Sequence, residues 1–170
     1  LCPIEGIWGG EQLLRVGITP RILLVCPEYI HTAQAQQLID ELQKKAESFY
    51  AVSKKVFDTV REDASAGGIL CVFPMKIHTL DEITPKKNFR MIVLDGIEIQ
   101  GNAGTILRSA DATAFDAVAF THRKIRLNHP KLVRASMGSV LHVPIVDAPV
   151  EELIPWLEKH GIRIVLADTD

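Results

Sequence analysis

Cysteine is scarce: Cys2, Cys26 and Cys71 are the only three, and no Cys-x-x-Cys pair occurs. A disulfide framework and a cysteine-based metal site are thereby excluded. Six histidines are scattered without metal-ligand spacing to cysteine or carboxylate, so no metal is expected. No run approaches about 18 consecutive apolar residues, and the amino end lacks the charged-then-apolar pattern of a secretory leader. The cytoplasm is the expected location. Neither a complete dinucleotide fingerprint nor a Gly-Lys-Ser/Thr phosphate loop is found, which removes nicotinamide and nucleotide-hydrolase chemistry. No charge sign dominates either, since 19 Lys and Arg against 21 Asp and Glu leave a formal −2. Contact with nucleic acid must then come from local clustering. Aromatic residues are few, 6% of the chain, and Trp8 and Trp156 read as packing anchors.

What remains is ordinary for a globular protein, 47% hydrophobic and 24% charged over 170 residues. Ile4 to Val16 reads as a short strand or loop entering a helix that Gly17 stops. Arg21 to Cys26 is a continuous apolar run, a strand buried on both faces and closed by Pro27. Thr32 caps a helix to about Glu47, with Ala35, Leu38, Ile39 and Leu42 as its inward stripe. A short strand at Tyr50 to Val52, a brief helix capped by Ser53, a polar loop from Arg61 to Gly67 and a buried strand from Gly68 to Phe73 follow. The polar stretch Thr79 to Phe89 reads as a linker. Beyond it come strand Met91 to Asp95, a helix from about Asn102 to Ala114, and strand Ala117 to Phe120. A helix capped by Asn128 with Pro130 in its first turn, strand His142 to Val146, a helix Val150 to His160 broken or kinked at Pro155, and strand Ile162 to Ala167 complete the alternation. Strands separated by helices predict an α/β fold with a mostly parallel sheet. The expected division is residues 1–80, a linker at 81–90, and residues 91–170.

The most informative segment is Val93 to Ala110, where a strand runs through a loop carrying Gly96, Gly101 and Gly104 into a helix. Loops beyond the carboxyl ends of strands are where α/β proteins gather ligands. Asn102 as a loop residue and Arg108 as a helix residue can aim at one pocket; alternatively, Asn102 caps the helix and Arg108 is a solvated surface residue. Thr121 to Arg134 carries five cations, Arg123, Lys124, Arg126, Lys131 and Arg134, and no carboxylate. Such a segment neutralises phosphates or is a solvated loop. The cluster Lys44, Lys45, Lys54 and Lys55 is diluted by Glu41 and Glu47 and reads as a solvated face.

Residues 102, 104 and 108 form an Asn-x-Gly-x-x-x-Arg pattern in a Leu-Asp…Gly-Asn context. This resembles the first signature of the SpoU (TrmH-type) branch of the SPOUT RNA 2′-O-ribose methyltransferases. Arg134-Ala135-Ser136-Met137-Gly138-Ser139 resembles the second. Ile4-Glu5-Gly6-Ile7 before a helix is similar to the opening of the ribosomal-protein-like RNA-binding domain fused to many of these enzymes. The resemblance implies a small amino-terminal α/β domain followed by a SPOUT domain that methylates ribosomal or transfer RNA from S-adenosylmethionine, with ribosomal RNA favoured. It implies Asn102 and Arg108 as catalytic residues and RNA contacts from Arg123, Lys124, Arg126, Lys131 and Arg134. Most of the cofactor contacts are expected beyond Asp170, with Arg134, Ser136 and Gly138 as the visible candidates. A homodimer is implied for the full-length protein. The third signature, which forms most of the cofactor pocket and the trefoil knot, should follow Ala167 and does not occur before Asp170, so the chain reads as a fragment lacking both. A different class, a non-catalytic RNA- or ribosome-binding α/β module, fits the same basic segment and amino-terminal unit.

Overall fold

The computed structural model describes residues 1–62, 64 and 67–167. Asp63, Ser65 and Ala66 of the expected polar loop lie outside the described residues, as do Asp168, Thr169 and Asp170. The cofactor contacts expected beyond Asp170 therefore also fall outside them. The described residues build two sheets. The first contains β1 (Cys2–Glu5), β2 (Ile22–Val25), β3 (Ser48–Ala51) and β4 (Ile69–Phe73), joined by helices α1 (Gly6–Arg15), α2 (Ala33–Lys45) and α3 (Lys54–Val60). Its strand order is β1-β4-β2-β3, with β4 antiparallel to both β1 and β2 and only β2 and β3 parallel. The parallel expectation fails for this sheet, because hydrophobic periodicity locates a strand without fixing its direction. Likewise β2 is buried only at alternate residues, Leu23 and Val25, because its other face is partly open.

The second sheet, β5 (Met91–Asp95), β6 (Ala117–Thr121) and β7 (Ile145–Asp147), is wholly parallel in that order. Its helices are α4 (Gln100–Ala112), α5 (Pro130–Ala135) and α6 (Val150–Lys159). β6 is central and fully buried. Thr32 caps α2 through Oγ1, which accepts from Ala35 N at 3.2 Å, and Ala35, Leu38, Ile39 and Leu42 form the buried stripe.

Four local expectations change. α5 is capped by His129, whose Nδ1 accepts from Lys131 N at 3.1 Å; the Asn128 amide instead donates to Leu1 O at 2.9 Å. β7 begins at Ile145 because Pro144, lacking an N–H, cannot donate to the ladder, and a turn of 3-10 helix occupies Ser139–Leu141. α6 continues through Pro155 with one hydrogen bond fewer, held by buried Leu153, Trp156 and Leu157. Residues 162–167 form no strand. Neither edge of the second sheet pairs with them, and Leu166 stands 88% exposed.

One buried cluster unites the two sheets. Cys2, Ile4, Leu13 and Phe73 from the first pack into a continuous core with Leu107, Phe120, Leu132 and Val140 from the second. Burial pushes the thiols of Cys2 and Cys71 up to about 12, which leaves them inert at neutral pH. Around Leu80, a second cluster packs Ala119, Val146, Leu153 and Trp156, so part of the 79–89 stretch is anchored to the far face of the second sheet. No helix among the described residues is long and apolar enough to cross a membrane.

Candidate functional site

β5 and β6 run in register, Met91 beside Ala117 through to Asp95 beside Thr121, so both strands end at one level. Gly96 turns the chain there with φ 64°, and its N–H donates to Thr121 O at 2.9 Å. Side chains then stitch the strand ends together. Asp95 Oδ1 accepts from buried Thr121 Oγ1 at 2.8 Å and lies 2.7 Å from His122 Nδ1, while His122 holds the left-handed conformation at φ 44°. These contacts, His122 first and Thr121 second, hold the Asp95 carboxyl below its ordinary range. Arg123 Nε and Nη2 reach Asp147 Oδ2 at the end of β7, at 2.8 and 2.7 Å, and Nη1 donates to Ile125 O at 2.8 Å. Lys124 pairs with Glu98, and its N–H donates to Ile97 O at 3.2 Å.

Arg123 and Lys124, expected to meet phosphate, are paired with Asp147 and Glu98 at the surface, and each pair shifts its cation upward. Arg126, Lys131 and Arg134 remain exposed. Asp95 and His122 pair at this edge; the sequence marks Asp95 only as motif context and His122 only as part of the basic run. Their signal is position, an acidic residue closing one strand and a histidine just past the next. Among the described residues no group of three His, Cys, Asp or Glu is placed to hold a metal ion.

The first signature lies on α4, which starts at Gln100, two residues earlier than expected. Asn102 is therefore inside the first turn, neither a loop residue nor the cap. Ala103, Gly104, Leu107 and Ala110 face the core. By helical geometry Asn102 and Arg108 sit about 120° apart around the axis and about 9 Å apart along it. Both are exposed, on the two flanks of the outward side. Between them Thr105 and Ser109 turn their hydroxyls back to the carbonyls of Gly101 and Thr105, at 2.9 and 3.1 Å. Asn102 and Arg108 are left as outward polar groups with no side-chain partner among the described residues. They do not converge on a point; they bracket a surface about two turns long.

Gly104 explains why the two signatures occur together. A Cβ on it would lie 2.4 Å from Leu132 O, 2.7 Å from Ala135 Cβ and 2.9 Å from Ser136 N, so α4 rests directly on the end of α5. Two residues expected to hold the cofactor are turned inward by this contact. The buried Ser136 hydroxyl donates to Val133 O at 2.7 Å, and Gly138, at φ 85°, lies against the edge of the Trp8 ring, where a Cβ would come 2.6 Å from Cη2. Both residues are buried, and the Ser136 hydroxyl is engaged within the chain. Trp8 itself departs from expectation: Trp156 is buried, whereas Trp8 remains 42% exposed.

The Asp95 contacts set a pH dependence. A carboxyl held below its unfolded value adds stability that is complete above about pH 4 and disappears as pH falls through the folded value. Melting temperature is expected to drop on acidification below about pH 4, and Asp95→Asn should show a shallower drop. Identical acid limbs for the two proteins in a thermal scan series would remove Asp95 as the cause.

Residues 90–170 match the SpoU rRNA Methylase family. The chain is 33% identical over 106 residues to the 23S rRNA (uridine(2479)-2′-O)-methyltransferase of Streptomyces viridochromogenes, covering 60% of this chain and 37% of that protein. It is 31% identical over 139 residues to a Staphylococcus epidermidis protein named for the TrmH family of tRNA/rRNA methyltransferases, covering 76% of this chain and 56% of the relative. Among solved structures, the AdoMet-bound rRNA methyltransferase of Sinorhizobium meliloti superposes with a TM-score of 0.80 at 25% identity, over 92% of this chain and 57% of that one. The chain thus spans little more than half the length of the relatives that it matches over most of its own.

Proposed function

We propose, from the match of residues 90–170 to the SpoU rRNA Methylase family, that the chain belongs to that family and serves the S-adenosylmethionine-dependent methylation of a ribose 2′-hydroxyl in RNA, with ribosomal RNA the favoured substrate. The observation that carries this reading is the contact at Gly104. It brings the Asn-x-Gly-x-x-x-Arg and Arg-Ala-Ser-x-Gly segments together and leaves Asn102 and Arg108 outward on one side of α4.

Methyl transfer to a hydroxyl is an in-line displacement in which the hydroxyl proton passes to an RNA phosphate or to water, so a protein contributes alignment and stabilisation of the charge that develops on oxygen. Bound S-adenosylmethionine supplies the methyl group. The Ser136 hydroxyl, bonded to Val133 O, is not presented to it as a donor. What the described residues offer is the RNA-facing side. The Arg108 guanidinium presents a planar fork of donors suited to phosphate and ribose oxygens, and it stays charged throughout, which favours a stabilising role over that of a base. Asn102 fixes the sugar from the opposite flank. Arg126, Lys131 and Arg134 add positive potential, while Arg123 and Lys124 hold the strand-end loops in place. In this division of labour, residues 1–80 select the RNA and residues 91–170 bring the reacting face.

The test is a methylation assay of the complete protein on total ribosomal and transfer RNA, with mapping of any 2′-O-methylated nucleotide. A single modified ribose in ribosomal RNA is the expected result. Retention of RNA with no methyl transfer to either pool would favour the non-catalytic binding module.

A further inference from the structure

A cleft of about 710 Å³ opens at the amino-terminal end of β5, between the turn that leads into that strand and the segment that leaves α6. Lys86, Lys87, His160 and Arg163 line it, and among the described residues no carboxylate does. Two tight local structures fix the cations on its two sides. Phe89 N donates to Lys86 O at 3.0 Å and Asn88 takes φ 65° between them, the arrangement of a type II turn, which sets Lys86 and Lys87 at one lip. On the other side Ile162 N donates to Leu157 O at 3.0 Å across Gly161, at φ 63°, a Schellman closure that ends α6 and starts the next segment at Arg163. Phe89 and Ile162 both pack on the cluster around Trp156, so the two sides share one apolar floor. The charge is uncompensated. Lys86, Lys87 and Arg163 are exposed and make no ion pair among the described residues. His160 donates from Nδ1 to Trp156 O at 2.8 Å, and its Nε2 has no partner among them. Of the carboxylates near in sequence or at the strand ends, Glu82 is paired with Lys76, Asp116 accepts from Arg90 N, and Asp81 and Glu158 are not part of the lining. Like charges held around one cleft repel until an anion lies between them, and a cleft of one sign concentrates the opposite one.

We propose that this cleft binds the sugar-phosphate backbone of the RNA, taking its phosphates on Lys86, Lys87 and Arg163. The inference rests on the RNA reading above and adds to it a contact at the opposite end of the second sheet from Gly96. A polyanion fits better than a single small ion, because the cations stand on two sides of a space far larger than one phosphate. The location also joins the cleft to α4. Arg90, between Phe89 and β5, donates from Nη2 to Thr113 O and Ala114 O at 2.9 Å, where α4 ends, and Arg108 lies about 7.5 Å before Thr113 along that helix. A strand of RNA laid on the outward side of α4 therefore runs toward this edge. Phosphate contacts carry no sequence information, so the cleft contributes affinity and register and leaves the choice of nucleotide to other surfaces.

The 170-residue chain is titrated at low salt with an end-labelled single-stranded oligoribonucleotide of mixed sequence. Binding is followed by anisotropy and by the histidine ring resonances in NMR, with His160→Gln identifying the signal of His160. A saturable shift of that signal, with the dissociation constant of the anisotropy curve, is expected. Lys86→Ala combined with Lys87→Ala should flatten the slope of log affinity against log salt by about 1.4, at about 0.7 for each phosphate contact of a single strand. Lys44→Ala combined with Lys45→Ala removes the same charge from the end of α2 and should leave the slope unchanged. Inorganic phosphate is the second probe, and at the concentration at which the oligonucleotide saturates it should leave the His160 signal in place. If the oligonucleotide binds while the His160 signal stays still and the two double variants behave alike, the cleft is overturned and the RNA reading stands. If inorganic phosphate moves the His160 signal as readily as the oligonucleotide does, the site is one for a small free anion and the proposal falls. Absence of oligonucleotide binding even at low salt also overturns the cleft, and the methylation assay on the complete protein then decides the RNA reading by itself.

Discussion

Gly104→Ala is expected to lower the melting temperature by about 4–8 °C, the fall that about 2 kcal/mol produces in a chain of this size. Two effects oppose each other at this position. Alanine is the better helix former, by about 1 kcal/mol over glycine in a helix interior. Against that, the added methyl meets Leu132 O at 2.4 Å and Ser136 N at 2.9 Å, backbone atoms that cannot rotate away, and the Ala135 methyl at 2.7 Å. Overpacking of this kind costs about 3 kcal/mol, the upper part of its usual range, so the clash outweighs the propensity gain. Gly101 provides the control on the same helix: nothing lies within 4 Å of a Cβ there, and Gly101→Ala should be neutral or slightly stabilising. A Gly104→Ala protein that melts no earlier than Gly101→Ala would mean that α4 and α5 can separate freely. The site would then lose the contact that orients it, because the outward direction of Asn102 and Arg108 is set by which face of α4 lies on α5.

The elements that can be read in the sequence are those whose reason is local. Thr32 before an apolar stripe specifies the start and inward face of α2 within a single stretch of chain, and Gly17, at φ 73°, marks a helix end for the same local reason. The run from Ala117 to Phe120 reads as a buried strand whatever surrounds it. The insertion of β4 between β1 and β2 depends instead on contacts across nearly the whole amino-terminal unit. Residues 162–167 have the composition of a strand but no ladder partner among the described residues, and composition cannot supply one. The site divides in the same way. Asn102, Gly104 and Arg108 stand out as a pattern, yet the inward role of Gly104, Ser136 and Gly138 emerges only when α4, α5 and α1 are brought together. The positive run from Arg123 to Arg134 looks uniform in the sequence because its neutralising partners, Glu98 and Asp147, lie 26 and 24 residues away from Lys124 and Arg123.

Arg108→Ala, made in the complete protein, carries the largest expected functional effect. The side chain is exposed, makes no ion pair or hydrogen bond among the described residues, and lies outside the buried stripe of α4. Its removal should leave stability within about 0.5 kcal/mol, as for other surface substitutions. Methylation is another matter. A donor aimed at developing negative charge is worth about 10²–10³ in turnover, and the loss should fall on kcat more than on KM because the charge exists only near the transition state. Arg108→Lys separates the two properties of the group. It keeps the positive charge and loses the planar fork, so an intermediate rate is expected if oxygens are gathered by geometry, and a nearly full rate if charge alone suffices. Asn102→Ala, on the other flank of the same surface, should raise KM with a smaller effect on kcat, since it holds the sugar without facing the new charge. Near-normal turnover by Arg108→Ala would make the arginine a surface residue. The reacting group would then have to be sought at the strand ends, where His122 stands on Asp95 through Nδ1 and its second ring nitrogen has no hydrogen-bond partner among the described residues.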